Sequence, residues 1–149
     1  MTSAALRNIA AQLIEEEPSL TSRIAWSENE QLVLLSDTNE RARDIRLWDE
    51  KGDLGLEFGP WHTHGNIASW TRGGEDEIDC LVGIVLAIVD GEIAILDELE
   101  GPLGPDATII DFEEEDALLD VMTQRDAPTR IRIRTWSGEG DREHTLDSL

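Results

Sequence analysis

The chain has 149 residues, of which 33 are acidic and 12 are basic, so its formal net charge is −21. This charge repels nucleic-acid phosphates and anionic lipid head groups, which argues against binding to nucleic acid or membranes, and it attracts a basic protein. The length favours one globular domain over residues 1–149. Because Cys80 is the only cysteine and no apolar signal segment follows Met1, we expect a cytoplasmic protein.

The charge has two further explanations that stay open. Lys51 is the only lysine, and the other basic residues are arginines, as codon usage in a GC-rich genome would produce. An acidic, lysine-poor surface is also typical of proteins adapted to high salt, where charge maintains solubility.

The first predicted element is an amphipathic helix that Thr2 or Ser3 caps and that ends before Pro18. Its apolar residues recur at helical spacing: Leu6, Ile9, Ala10, Leu13 and Ile14. Short apolar runs with turn residues between them then predict four strands, over 23–27, 31–36, 45–49 and 54–58. The last two flank a hairpin turn in which Gly52 can take positive φ.

Residues 75–89 carry the clearest helical pattern in the chain, and Asp90-Gly91 ends it. The remaining predicted elements are strands over 92–96 and 107–110, an acidic helix over 113–124, and a hairpin of strands over 130–136 and 142–146. This order predicts an α+β single domain, with a mainly antiparallel sheet packed against one central apolar helix and two further helices.

Two of the three histidines stand one residue apart, in Trp61-His62-Thr63-His64. If this segment is extended, both imidazoles share a face, as in several metal sites. Trp61 and Trp70 bracket the segment, and indoles near an imidazole pair can line a binding surface. We therefore take Trp61, His62, His64 and Trp70 as candidate binding residues.

A zinc or other divalent metal on His62 and His64 would need a third protein ligand. The candidates are carboxylates and the third histidine: Glu57, Asp76, Asp79 and His144. The alternative is that the pair lies at a sheet edge and hydrogen-bonds to backbone or carboxylates, with no metal cofactor.

Three arginines alternate with isoleucines, so Arg130, Arg132 and Arg134 line one face of a predicted strand. This row can hold a phosphate or carboxylate ligand. The favoured interpretation is structural, with acidic side chains on neighbouring strands, Glu143 or Asp141 among them, pairing with the arginines.

The segment 58–65 looks like the part of JAMM/MPN metalloproteases where a strand leads into a zinc-binding HxH pair. The chain departs from that family's pattern, which has proline at the position of Gly65, serine at that of Arg72 and aspartate at that of Glu75. P-loop, Rossmann, GxSxG and HExxH motifs are absent from the sequence.

The acidic composition, the Trp-rich predicted sheet and the WHTH segment ahead of an apolar helix resemble small acidic bacterial domains of uncharacterised type, including immunity proteins that neutralise polymorphic toxins. The resemblance implies a non-enzymatic module whose acidic surface docks on a basic toxin. The sequence thus predicts a cytoplasmic protein-binding module, and the alternative is a metal-dependent hydrolase with His62 and His64 as ligands.

Overall fold

The structure is a computed structural model that describes residues 3–59, 61–64, 77–100, 106–111, 115–116 and 129–146. It is an α+β protein with two antiparallel sheets. The helices are α1 (Ala4–Glu16) and α2 (Glu77–Val89), and 3-10 helices span Pro18–Ser22 and Arg41–Arg43. The strands are β1 (Ile24–Trp26), β2 (Leu32–Leu34), β3 (Ile45–Glu50), β4 (Asp53–Phe58), β5 (Trp61–His64), β6 (Ile93–Glu100), β7 (Asp106–Asp111), β8 (Thr129–Arg134) and β9 (Arg142–Leu146).

The chain divides into two compact units, residues 1–87 and 88–149. The sequence predicted one sheet, whereas the structure has two. A five-stranded sheet lies in the first unit and a four-stranded sheet in the second. The α+β class is confirmed, while the single domain and the central position of the apolar helix stay predictions.

Helix α1 begins where the sequence predicts. Ser3 is its N-cap, and the Ser3 hydroxyl oxygen accepts a hydrogen bond from the Leu6 amide at 3.0 Å, which satisfies one of the free donors of the first turn. The helix contacts β3 and buries Leu6, Ile9 and Leu13 almost completely. Each such side chain contributes roughly 2 kcal/mol on leaving water, and this burial fixes the helix on the sheet.

The first sheet is a meander in the order β1-β2-β3-β4-β5, with every neighbouring pair antiparallel. The hairpin between β3 and β4 turns at Lys51 and Gly52, whose φ angles are 54° and 92°. Positive φ at both central residues is the requirement of a type I′ turn, whose twist matches that of the flanking strands. The prediction of this hairpin is confirmed, although lysine as well as glycine adopts the left-handed conformation.

Six side chains with no solvent exposure form the core face of this sheet. Strand pairing aligns them in two rows, Leu32-Leu47-Leu56 and Leu34-Ile45-Phe58. Since successive residues of a strand point to opposite sides, the residues between them lie on the opposite face. We define the opposite face by Val33, Arg46, Trp48, Glu57 and His62.

Trp48 lies across Gly55 on the opposite face. The two residues are directly paired between β3 and β4, and a methyl group at Gly55 would overlap Cε2 and Cζ2 of the indole ring. The absence of a side chain at residue 55 therefore lets the indole lie flat on the neighbouring strand, where Trp48 is only half-buried.

We predict that Gly55→Ala destabilises the first unit by about 1–3 kcal/mol, because the added methyl group forces the indole off the strand. Denaturant unfolding measures this change. Gly83→Ala is the control: a methyl group there meets no atom within 4 Å, and inside α2 it should add about 1 kcal/mol of stability. If Trp48→Ala in the same chain does not remove most of the Gly55→Ala penalty, the explanation is wrong.

Helix α2 confirms the strongest helical pattern of the sequence over 77–89, and predicted residues 75 and 76 fall outside the described residues. Cys80, Leu81, Val82, Ile84, Val85 and Ile88 are its buried residues. Neither helix in the described ranges has the length and apolar character that a membrane crossing requires. Of the predicted helix over 113–124, residues 115 and 116 are helical and the others fall outside the described residues.

The second sheet has the order β7-β6-β8-β9. One of its faces carries a buried apolar cluster of Ala94, Leu96, Ile110, Ile131 and Ile133. On the other face of β8, Arg134 forms a two-pronged ion pair with Asp97 of β6, with Nε–Oδ2 and Nη2–Oδ1 distances of 2.7 and 3.1 Å. Arg132 Nε lies 3.4 Å from the same Oδ2.

Candidate functional site

The histidine pair lies on β5, the edge strand of the first sheet. The segment is extended, and it pairs antiparallel with β4, so that His62 stands opposite Glu57 and His64 opposite Gly55. The side chain of His62 is exposed. The extended conformation, which the sequence left open, follows from antiparallel pairing of 61–64 with 55–58.

A row of paired residues crosses all five strands through His62. In strand order it consists of Ala25, Val33, Arg46, Glu57 and His62. Directly paired residues lie on the same face with Cβ atoms about 5 Å apart. The exposed imidazole, a carboxylate and a guanidinium thus share the opposite face of the sheet.

Trp61 lies on the other side of β5 from His62. It pairs with Phe58, which belongs to the core face, and it is half-buried. Trp70, the second bracketing indole, falls outside the described residues. Alternation along the strand therefore separates the indole of Trp61 from the imidazole of His62.

The predicted third metal ligands are distributed over the fold. Glu57 is the cross-strand neighbour of His62, whereas Asp79 is exposed on α2. Asp76 falls outside the described residues, and His144 belongs to β9 of the second unit. Among the residues that the structure describes, no three histidine, cysteine or acidic side chains group together as metal ligands.

His144 has a neighbour of its own in the second unit. Its Nε2 atom lies 3.4 Å from Oε1 of Glu115, too poorly aligned for a hydrogen bond. The main partner of Glu115 is Arg142, whose Nε donates to Oε1 at 2.9 Å and whose Nη2 donates to Oε2. Hydrogen bonding to this guanidinium lowers the pKa of Glu115, and this effect outweighs the opposing effect of burial.

Two depressions in the first unit were not predicted from the sequence. The arginine depression, about 420 Å³ in volume, is lined by Trp26, Leu35, Asp44, Arg41 and Arg46 among others. The acidic depression, about 300 Å³, is lined by Glu30, Asp49, Glu50 and Trp48, with Ser3 and Leu6 of α1.

The sequence signal for the arginine depression was weak. Trp26 is 42% exposed on the three-residue edge strand β1. Arg41 lies in a 3-10 helix that no periodic pattern predicts. Only the alternation of Arg46 with Ile45 and Leu47 indicated that this arginine faces away from the core.

Compared with protein-family models, with curated proteins and with solved structures, the chain matches none.

We predict that Glu115→Gln lowers the free energy of unfolding at neutral pH by about 1–3 kcal/mol, because charged hydrogen bonds with Arg142 are lost. Since the pKa of Glu115 is below its usual 4.5, its stabilisation is present above that value and is lost as the pH falls through the lower, folded-state pKa. Denaturant unfolding from about pH 7 to about pH 3 should therefore show the difference from the unaltered chain shrinking in acid.

The control for this measurement is Asp116→Asn, which removes the same charge from an exposed neighbour. A similar loss of stability in both variants would contradict the role of the Arg142 contact.

Proposed function

We propose that this chain is a non-enzymatic, immunity-like protein-binding module that uses its acidic surface to bind a basic partner. The observation that carries the proposal is how the charges are distributed. Arginines are bound by carboxylates of the chain itself, in the pairs Arg23–Asp37, Arg43–Glu40, Arg134–Asp97 and Arg142–Glu115. Few positive charges are left to offset the acidic surface.

Exposed carboxylates outnumber exposed cations on the first unit. Glu15, Glu16, Glu28 and Glu50 are exposed and form no ion pair within the described ranges. The summed field of such groups speeds encounter with a basic protein and weakens as salt is added.

The acidic depression is the best candidate for the point of contact. Its lining includes the acidic residues Glu30, Asp49 and Glu50 together with Trp48. One oxygen of Asp49 already accepts the Gly52 amide at 2.8 Å. A guanidinium or ammonium group can pair with carboxylates and lie against an indole, and arginine and tryptophan are common in the most strongly bound parts of interfaces. An arginine side chain of the partner therefore suits this depression.

The immobilised chain is incubated with a lysate of the cells in which the chain is naturally produced. The proposal predicts that it retains a basic protein at about 50 mM NaCl and less of that protein at about 300 mM NaCl, because salt screens the attraction. Recovery of no basic protein at either concentration would contradict the proposal.

The position of the contact is tested with two charge-matched double variants. Glu30→Gln with Glu50→Gln should weaken binding of the recovered partner about tenfold or more, because carboxylate hydrogen bonds to a cation are lost. Glu15→Gln with Glu16→Gln removes the same charge from the end of α1 and should change the dissociation constant less than about twofold. Equal effects of the two pairs would mean that general charge alone, and not the acidic depression, binds the partner.

A second candidate function is a metal-dependent hydrolase with His62 and His64 as ligands. One observation favours it, namely that Glu57 stands directly opposite His62 and can supply a carboxylate oxygen. Metal analysis of protein purified without an affinity tag, before and after soaking in zinc, separates the two functions. A binding module without metal should retain no stoichiometric zinc, whereas retention that His62→Ala abolishes would support the hydrolase.

A further inference from the structure

Among the described residues, the exposed large hydrophobic residues line the arginine depression. Trp26 and Leu35 are the large hydrophobic side chains that remain exposed there, at 42% and 40%, and both line this one depression. Single exposed apolar residues are common on protein surfaces. Here two of them line one depression, whose volume of about 420 Å³ falls within the range of small-molecule binding sites.

Arg41 and Arg46 line the same depression, and neither forms an ion pair with a described residue. Arg41 is exposed and Arg46 is half-buried, and in the described part of the chain no carboxylate oxygen lies within 4.0 Å of either. Arg43, from the same 3-10 helix as Arg41, shows the contrast, because its Nε is 2.9 Å from Glu40. Glu57 is the cross-strand neighbour of Arg46 but forms no ion pair with it.

Asp44 is the acidic residue that lines the depression, and its carboxylate accepts a hydrogen bond from the backbone. It is 6% exposed, and its Oδ1 accepts the Ser36 amide at 2.8 Å. Two guanidinium charges and one carboxylate charge leave the depression locally positive in a chain of net charge −21.

The loop beside the depression is held in place before any ligand binds. The hydroxyls of Ser36 and Thr38 are 2.7 Å apart, and the amides of Thr38 and Glu40 donate to these hydroxyls at 3.1 and 3.2 Å. Asn39, which lines the depression, has a φ of 62° and accepts a bond from Arg23 at its side-chain oxygen. Because this loop is already ordered, ligand binding costs less conformational entropy.

We propose that the arginine depression binds a small organic carboxylate with an apolar, ring-sized body. The carboxylate would lie between Arg41 and Arg46, because guanidinium groups bind carboxylates through paired N–H donors. The apolar body would lie against the side chains of Val33 and Leu35, which line the depression on the face of the sheet that carries Arg46. This site is separate from the acidic depression, and it does not depend on the proposed protein-binding function.

The test titrates naphthalene-2-carboxylate into the full chain at about 150 mM NaCl, where the repulsion of distant carboxylates is screened beyond roughly 8 Å. Calorimetry measures the dissociation constant, and NMR follows a methyl resonance of Leu35, assigned with Leu35→Ala. We expect saturable binding at one site that shifts this resonance. The uncharged 2-naphthamide should bind about tenfold or more weakly, because it lacks the charge that the arginines recognise.

Arg41→Gln and Arg46→Gln should each weaken naphthalene-2-carboxylate binding about tenfold. Arg41 is exposed and forms no ion pair within the described ranges, so its variant tests the site even if Arg46→Gln disturbs β3. Arg7→Gln, on the exposed surface of α1, makes the same charge change and should leave the dissociation constant within about twofold. Absence of saturable binding, equal binding of the amide, or an equal effect of Arg7→Gln would each overturn the proposal.

Discussion

Six side chains on β2, β3 and β4 have no solvent exposure, and their position determines where the remaining residues of the first sheet can lie. A shift of one residue in any strand would turn Leu47 or Leu56 away from the core and bring Arg46 or Glu57 into it, which is costly. The register is therefore strongly specified. It is this apolar constraint that sets Arg46, Glu57 and His62 side by side on the opposite face.

A second constraint on the structure is that positively charged side chains are few and several of those in the described ranges pair with carboxylates. Asp97 alone engages both Arg132 and Arg134, so this part of the predicted arginine stripe is structural, as the sequence favoured. Asp97 lies on β6, a strand next to β8, so the prediction that acidic residues of neighbouring strands pair with the arginines is confirmed for Arg132 and Arg134. Arg41 and Arg46 differ from Arg132 and Arg134, because no carboxylate of the described residues lies at ion-pairing distance from them.

Much of the local structure could be predicted because its causes are local. Ser3 caps α1, the spacing of Leu6, Ile9 and Leu13 predicts its buried stripe, and Gly52 marks the β3–β4 turn. The division into two sheets could not be predicted, since each strand pattern shows which side is buried but not which strand is its neighbour. The depressions depend on residues far apart in sequence, such as Trp26 with Arg46 or Glu30 with Trp48, and single-strand periodicity carries no information about such pairs.

The edge strands of the first sheet bear on how copies of the chain behave together. β1 has three residues and β5 has four, so each edge offers only a short row of backbone groups to another chain. Edge-to-edge pairing is the usual route by which sheets join into larger aggregates, and short edges limit it. Mutual repulsion between chains of charge −21 adds a second barrier at low ionic strength. The two barriers differ in kind: added salt weakens the repulsion, whereas a short edge strand limits pairing at any salt concentration.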